Sequence, residues 1–219
     1  MLRYGRDMQV LAMGYAMLAG AVDAVGFLKS GGLFVSFMSG NSTRLAIGVA
    51  QTATIAAAAA GIIALFVAGV ILNVLVSESA PAGRRKLVAT IGVVVALVLA
   101  AIMDTLGQNL LAIGFLCLGM GAANAIFRRE GEVSIGVTYM TGTLVKLGHR
   151  LADALQGDRH ARWQPYLLLW LSLVIGGIAG ALSYLWSPLA SVWIVAAASL
   201  VLAVITWCLQ SPGKPVSDV

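Results

Sequence analysis

Long apolar stretches, separated by short polar connections, dominate the chain. Five of them reach or approach the ~20 residues that an α-helix needs to cross a ~30 Å hydrocarbon core, and a sixth is slightly shorter. None alternates as a half-buried strand does, and backbone groups in lipid must be satisfied within their own segment. The pattern therefore predicts six transmembrane helices: Met8–Leu28, Ala53–Val76, Leu87–Met103, Leu110–Phe127, Tyr166–Trp186 and Leu189–Leu209.

Two further segments, Gly31–Gln51 and Glu132–Leu151, are too polar for ordinary crossings, yet too apolar for simple loops. In each, an extended arm leads to a predicted turn at Met-Ser/Thr-Gly, followed by a short helix at Leu45–Gln51 or Leu144–Leu151. A re-entrant hairpin is the preferred interpretation, since broken backbone is tolerated at membrane depth where protein covers it or it lines a wet cavity. The alternative is an amphipathic segment lying along each membrane surface.

The chain carries the same two sequence blocks twice. Gly20–Val25 (GAVDAV) matches Gly121–Ile126 (GAANAI) at an offset of 101 residues. Val35–Gly40 (VSFMSG) matches Val137–Gly142 (VTYMTG) at an offset of 102 residues. Two matches in the same order at nearly the same separation indicate an internal duplication, not merely the shared composition of membrane helices.

The duplication divides one membrane domain into two halves of three helices, residues 1–103 and 104–219, joined by a predicted outside turn at Asp104–Asn109. Because three crossings is an odd number, the second copy enters the membrane from the opposite face. The expected fold is an all-α membrane protein with two inverted three-helix repeats. Many transporters and some channels share this plan, with the solute site near the pseudo-two-fold axis.

Composition and charge agree with a chain that lipid mostly solvates. Apolar residues make up 60% of the chain and charged residues 11%, against about a quarter charged in a soluble domain. Twelve of the fourteen Lys and Arg residues fall on the side of the N-terminus, and only Lys29 and Arg44 fall on the other. The positive-inside rule then places both termini in the cytoplasm. The net charge of +5 is thus a topology signal and not a nucleic-acid footprint.

Asp23 is the only acid inside a predicted crossing, and an ionisable group there is a functional candidate by default. Four roles are open: pairing with Arg44 or Lys29, binding a coupling proton, capping the polar segment that follows, or a structural role near the outer interface. Its repeat partner, Asn124, is neutral, which allows the two halves to differ.

The polar residues after each extended arm complete the candidate solute or ion site. Asn, Ser and Thr cap exposed N–H groups, and Gly reaches turn conformations at little cost. Helix N-termini facing each other would favour an anion or a polar carbonyl. With Asp23 and Asn124, the candidates are Ser39, Gly40, Asn41, Ser42, Thr43, Arg44, Thr141, Gly142 and Thr143.

No motif predicts a cofactor or metal. Cys117 and Cys208 lie in predicted helices without CxxC spacing, and His149 and His160 do not form a ligand pair at helical spacing. An intramembrane enzyme is disfavoured. A nucleophilic Ser39 or Ser42 would need a His as general base, and no predicted membrane helix carries a His. The GxxxG at Gly176–Gly180 predicts helix packing within the bundle, with homo-oligomerisation as the alternative.

The arrangement GAVDAVGF…FVSFMSGNST, echoed by GAANAI…VTYMTGT, resembles the YoaK-like family of bacterial inner-membrane proteins, with domain of unknown function 1275. The resemblance covers nearly the whole chain, although the family prefers Thr where this chain has Ser39. It implies a multi-pass protein of the bacterial inner (plasma) membrane with a suspected transport role, and supplies no substrate.

A secondary transporter or channel-like permease for a small polar or anionic solute is therefore the leading hypothesis. The chain lacks a Walker A motif, so any transport would draw on a gradient. A non-transporting membrane scaffold or accessory subunit is the main alternative, and an intramembrane enzyme is less favoured.

Overall fold

The computed structural model describes residues 5–129, 132–133, 135–138, 140–158 and 160–210. Over these ranges the regular secondary structure is helical apart from a hairpin of two antiparallel two-residue strands, β1 (Arg128–Arg129) and β2 (Glu132–Val133), and it includes one 3-10 turn at Ala82–Arg84. The helices are α1 (Arg6–Ser30), α2 (Met38–Gln51), α3 (Ala53–Glu78), α4 (Arg85–Thr105), α5 (Asn109–Ala123), α6 (Met140–Leu155), α7 (Gln164–Trp186) and α8 (Pro188–Gln210).

Five helices, α1, α3, α4, α7 and α8, are long and apolar enough to cross a membrane, and each coincides with a predicted crossing. The sixth predicted crossing, Leu110–Phe127, is shorter than expected. Its helix, α5, ends at Ala123 after 15 residues, or about 22 Å at 1.5 Å per residue. The next four residues, 124–127, continue as buried turns in which the side-chain amide of Asn124 donates to the Met120 carbonyl.

Glycine lets α1 and α7 pack backbone to backbone. A Cβ atom at Gly20 would overlap the carbonyl oxygen of Leu173, and one at Gly176 would overlap that of Met17. A Cβ atom at Gly180 would likewise overlap the Ala21 carbonyl oxygen. The contacts of Met17 with Gly176 and of Ala21 with Gly180 lie four residues apart on both helices, so α1 and α7 run parallel. The GxxxG therefore packs within the bundle, as predicted.

Helices α3 and α5 make the same kind of contact. A Cβ atom at Gly69 would overlap the Leu118 carbonyl oxygen, and one at Gly121 would overlap that of Phe66. The side-chain amide of Asn73 donates to the Ala122 carbonyl over 2.8 Å, four residues further along both helices. This pair is therefore also parallel, and small residues again set its close approach.

Helix α4 lies parallel to α1. The Tyr15 hydroxyl donates to Thr90 Oγ1 over 3.0 Å, and near the other end Lys29 forms an ion pair with Asp104. Asp104 was predicted in an outside turn. It lies instead in the last turn of α4, where its side chain and that of Lys29 are more than nine-tenths buried.

Helix α8 runs opposite to α1 and α4. Trp193, near its start, donates through Nε1 to Thr105 at the end of α4, and Leu202, further along, packs over Gly14 of α1. The connection of residues 106–108 turns the chain back, so that α5 packs antiparallel on α4. Helices α1, α4 and α7 thus run one way, and α3, α5 and α8 run the other.

Large side chains should be tolerated at glycines facing open space and not at those contacting a backbone. Gly176→Leu and Gly69→Leu should each lower the free energy of unfolding by at least about 1–3 kcal/mol, because neither opposing carbonyl can move aside. Gly61→Leu is the matched control, since a Cβ atom there meets nothing within 4 Å. Thermal unfolding in detergent measures the difference, and equal melting temperatures for all three variants would contradict this packing.

Candidate polar site

Asp23 caps the irregular segment that follows α1. Its Oδ1 accepts hydrogen bonds from the backbone N–H groups of Val35 and Ser36, each over 2.8 Å. Its Oδ2 accepts the Ser36 hydroxyl over 2.8 Å. Of the four roles left open by the sequence, the geometry shows the cap. Among the described residues Asp23 has no ion pair, so the alternative of pairing with Arg44 or Lys29 is wrong.

The predicted cationic partners have other neighbours. Lys29 pairs with Asp104, as described above. The Arg44 guanidinium carbon lies 5.9 Å from the centre of the Phe27 ring, within the range of a cation–π contact. Its nitrogen atoms also approach the place that a side chain at Gly32 would occupy.

Asn124 makes the corresponding contact in the second half of the chain. Its Oδ1 accepts the Thr138 hydroxyl over 3.2 Å. Asp23 and Asn124 differ by 101 positions, and their hydroxyl partners, Ser36 and Thr138, differ by 102. The two contacts therefore join equivalent residues, with a carboxylate in one half and an amide in the other. We call these four residues the polar centre.

A cavity of about 480 Å³ opens beside Asp23 between α1 and α7, and we call it the α1/α7 cavity. Asp23, Ser36 and Thr138 are the polar side chains among its described lining residues, so both irregular segments reach it. Much of the remaining wall is apolar and includes the rings of Phe27, Phe34 and Phe37. The cavity thus has one small polar end and a larger apolar wall.

A second cavity of about 320 Å³ lies between α3 and the turns that follow α5, and we call it the α3/α5 cavity. It is lined by Asn124 and Arg128 and, on α3, by Val70 and Val74. Arg128 forms an ion pair with Glu78 at the end of α3. At the offset of the repeat, Asn124 and Arg128 correspond to Asp23 and Phe27 of the α1/α7 cavity.

Asn41, one of the predicted candidates, is a structural residue. It is fully buried, its Oδ1 accepts the Phe34 N–H over 3.0 Å, and its Nδ2 donates to the Phe34 carbonyl over 2.6 Å. Both backbone groups of Phe34 are thereby satisfied where neither helix nor strand is available. Asn41 therefore holds the irregular segment in place and does not line either cavity.

The predicted hydroxyl cluster on α2 points away from the polar centre. Ser39, Ser42 and Thr43 are exposed, and the hydroxyls of Ser42 and Thr43 donate to carbonyls one turn back in their own helix. In α6, Thr141 is exposed and Thr143 is buried. The sequence therefore identified segments that border the α1/α7 cavity, but most of the residues that it singled out do not line either cavity.

The predicted glycine turns are wrong. Helices α2 and α6 begin at Met38 and Met140, so Gly40 and Gly142 lie in the first turn of a helix. Neither has a positive φ, whereas Gly31 and Gly32 do, at 72° and 116°. The short helices thus start several residues earlier than expected, and the chain turns before the Met-Ser/Thr-Gly element. Tyr139, within the second copy of this element, lies outside the described residues.

Ser36 and Thr138 are the functional candidates that sequence reasoning missed. Both stand inside the repeated blocks, one in VSFMSG and the other in VTYMTG, and both carry a hydroxyl. That shared hydroxyl was the available signal. The predicted candidates came instead from the polar residues after the methionine, which are typical helix-capping residues.

Comparison with known proteins supports the membrane assignment. A family model described as "Protein of unknown function (DUF1275)" matches residues 11–205. A UPF0700 transmembrane protein of Rhizobium meliloti (strain 1021) is 32% identical over 197 residues, which cover 88% of this chain and 83% of the relative. No solved structure matches the chain. With the five long apolar helices, these matches identify a multi-pass membrane protein that is similar to its relative from α1 to α8.

Removing the Asn41 side chain should destabilise the protein without touching a cavity. Asn41→Ala leaves the part-buried N–H and carbonyl of Phe34 without their side-chain partner, which costs up to about 1–3 kcal/mol per group. Ser42→Ala, the control on the exposed face of the same helix, should stay within about 0.5 kcal/mol of the parent. Thermal unfolding in detergent compares them, and an Asn41→Ala variant as stable as Ser42→Ala would contradict the structural role.

Proposed function

Since this chain belongs to the DUF1275 family, whose description names no activity, we propose a function from its own geometry. The protein is a gradient-driven permease that carries a small polar solute through the polar centre. One observation carries this proposal: two equivalent polar contacts, Asp23–Ser36 and Asn124–Thr138, each adjoin a cavity, one between α1 and α7 and the other between α3 and the turns that follow α5. Polar contacts of this kind at membrane depth usually mark a solute or ion pathway.

An inverted repeat accounts for the helix packing. The α1/α7 contact of Gly20 with Leu173 has its counterpart in the α3/α5 contact of Gly121 with Phe66. Adding 101 to a residue number in α1 gives its equivalent in α5, and adding 107 to a number in α3 gives its equivalent in α7. Gly20 then corresponds to Gly121, and Phe66 corresponds to Leu173. The pairing of Gly176 with Met17 and of Gly69 with Leu118 follows from the same two shifts. Agreement at independent positions supports one pseudo-two-fold axis between the halves.

The alternation of helix directions supports six crossings. In this proposal α5 is the fourth crossing, extended by the buried turns of residues 124–127 that follow it. Three crossings per half would then invert the second copy relative to the first. The distribution of Lys and Arg places both ends of the chain in the cytoplasm, although residues 1–4 and 211–219 lie outside the described part.

The two cavities would then open toward opposite membrane faces. The α1/α7 cavity lies along the second half of α1, toward the end where Lys29 pairs with Asp104. The α3/α5 cavity lies at the other end, where Arg128 pairs with Glu78. Rocking of one half against the other would expose the polar centre to one side at a time, which is alternating access.

Reporter fusions test the topology. Fusions after Ser79, Leu106, Gln156, Ser187 and Val219 should report inside, outside, inside, outside and inside, because α5 completes the fourth crossing. Alkaline phosphatase and green fluorescent protein fusions provide opposite readouts at each point. An outside report at Gln156 would contradict both the six crossings and the inversion.

Flux into proteoliposomes tests the permease. Stopped-flow light scattering with glycerol, urea and methylammonium chloride should show uptake faster than into protein-free vesicles for at least one solute. Gly177→Val should reduce that flux about tenfold, because it narrows the α1/α7 cavity, while the matched position on α3 already carries Val70. Ile178→Val, on the exposed side of α7, is the control and should leave the flux unchanged.

Two results would contradict the permease. Uptake equal to that of protein-free vesicles for every solute would favour a membrane scaffold instead. Equal flux in the Gly177→Val and Ile178→Val vesicles, at equal folded protein, would remove the α1/α7 cavity from the pathway.

A further inference from the structure

The donors and acceptors of the polar centre restrict what the α1/α7 cavity can hold. The Ser36 hydroxyl hydrogen is donated to Asp23, and the Thr138 hydroxyl hydrogen is donated to Asn124. The Asp23 carboxylate has no hydrogen to donate. The three polar side chains at the cavity therefore present acceptors and no free side-chain donor. A ligand that completes their hydrogen bonding must bring the donors itself.

Asp23 retains capacity for such a ligand. Its two oxygens offer about four acceptor positions; the Val35 N–H and the N–H and hydroxyl of Ser36 occupy three, and the Phe37 N–H also interacts with the carboxylate, whose negative charge attracts a cation as well. The residue is half-buried and lines the cavity. No Lys or Arg stands among the described lining residues, so Asp23 is their only charged side chain. An anion at this position would meet like charge without a compensating donor, which counts against the anionic solute that the sequence allowed.

The rest of the wall suits an apolar body. The ring centres of Phe27 and Phe34 lie 4.7 Å apart, and those of Phe34 and Phe37 lie 5.2 Å apart, so the three rings form a continuous cluster. The volume of about 480 Å³ falls within the range of small-molecule sites, about 300–1,000 Å³. Aromatic faces also attract an organic cation. One face of Phe27 already carries the Arg44 guanidinium.

We infer that the solute of the α1/α7 cavity is a primary ammonium ion with an apolar body. Its N–H groups donate to Asp23, Ser36 and Thr138, and its body lies against the aromatic cluster. This inference rests on the proposed permease and specifies its solute class. In the α3/α5 cavity the equivalent of Asp23 is the neutral Asn124, with Arg128 nearby. A cation held in the first cavity is therefore held less strongly in the second.

Four probes of similar shape test the solute class. Benzylammonium, benzyltrimethylammonium, benzyl alcohol and benzoate would be titrated calorimetrically into the full chain in lipid nanodiscs, with empty nanodiscs subtracted. Benzylammonium should bind at least about tenfold more tightly than benzyl alcohol. Benzyltrimethylammonium, which keeps the charge but lacks N–H donors, should fall between them. Benzoate should not bind.

Asp23→Asn tests the assigned carboxylate. Asn occupies the equivalent position 124, so the variant should fold, and thermal unfolding verifies this. It should weaken benzylammonium binding about tenfold and leave benzyl alcohol binding within about twofold. Asp153→Asn, which removes a partly exposed carboxylate of α6, is the charge-matched control and should change neither.

Three outcomes would overturn the inference: benzoate binding as tightly as benzylammonium, equal benzylammonium affinity in the Asp23→Asn and Asp153→Asn variants, or no saturable binding of any probe. The solute class and the permease fail separately. Uptake of glycerol or urea with no benzylammonium binding would reject the ammonium site and keep the permease.

Discussion

Close backbone contact between pairs of helices sets the geometry of this bundle. In lipid, apolar side chains gain little by leaving one apolar environment for another, so helix association relies on tight packing. Gly20 and Gly176 bring α1 against α7, and Gly69 and Gly121 bring α3 against α5. Side chains at these positions would separate the helices and move the walls of both cavities. The glycines therefore set the spacing within which the irregular segments and their polar contacts fit.

The irregular segments impose a second constraint, because their backbone groups have no helix to satisfy them. Asp23 accepts two of these N–H groups, and Asn41 satisfies both polar groups of Phe34. The same hydrogen bonds consume the Ser36 hydroxyl hydrogen. The hydrogen bonds that stabilise the irregular segment thus also affect solute selectivity in the proposed permease, because they leave only acceptors facing the α1/α7 cavity.

The two halves differ most where a solute would be recognised. Asp23 in the first half is equivalent to Asn124 in the second, and Phe27 is equivalent to Arg128. Val70 and Val74 on α3 take the places of Gly177 and Ala181 on α7, in keeping with the smaller α3/α5 cavity. In the proposed permease, two repeats with unequal side chains would provide two access sites of different affinity.

Features that follow from composition or from neighbouring residues could be predicted from the sequence alone. The length of the apolar stretches predicted the five long helices. The repeated blocks predicted that Met38 and Met140 occupy equivalent positions, and each begins a helix. Asp23 was a candidate because it is an acid inside a predicted crossing. Partners across the bundle depend on how helices pack, which linear spacing does not encode. Only the tertiary structure therefore paired Lys29 with Asp104, joined Asp23 to Ser36, and turned Ser39, Ser42 and Thr43 away from the cavities. It also placed Gly40 and Gly142 in helices, because the turn that each segment requires is made upstream of them.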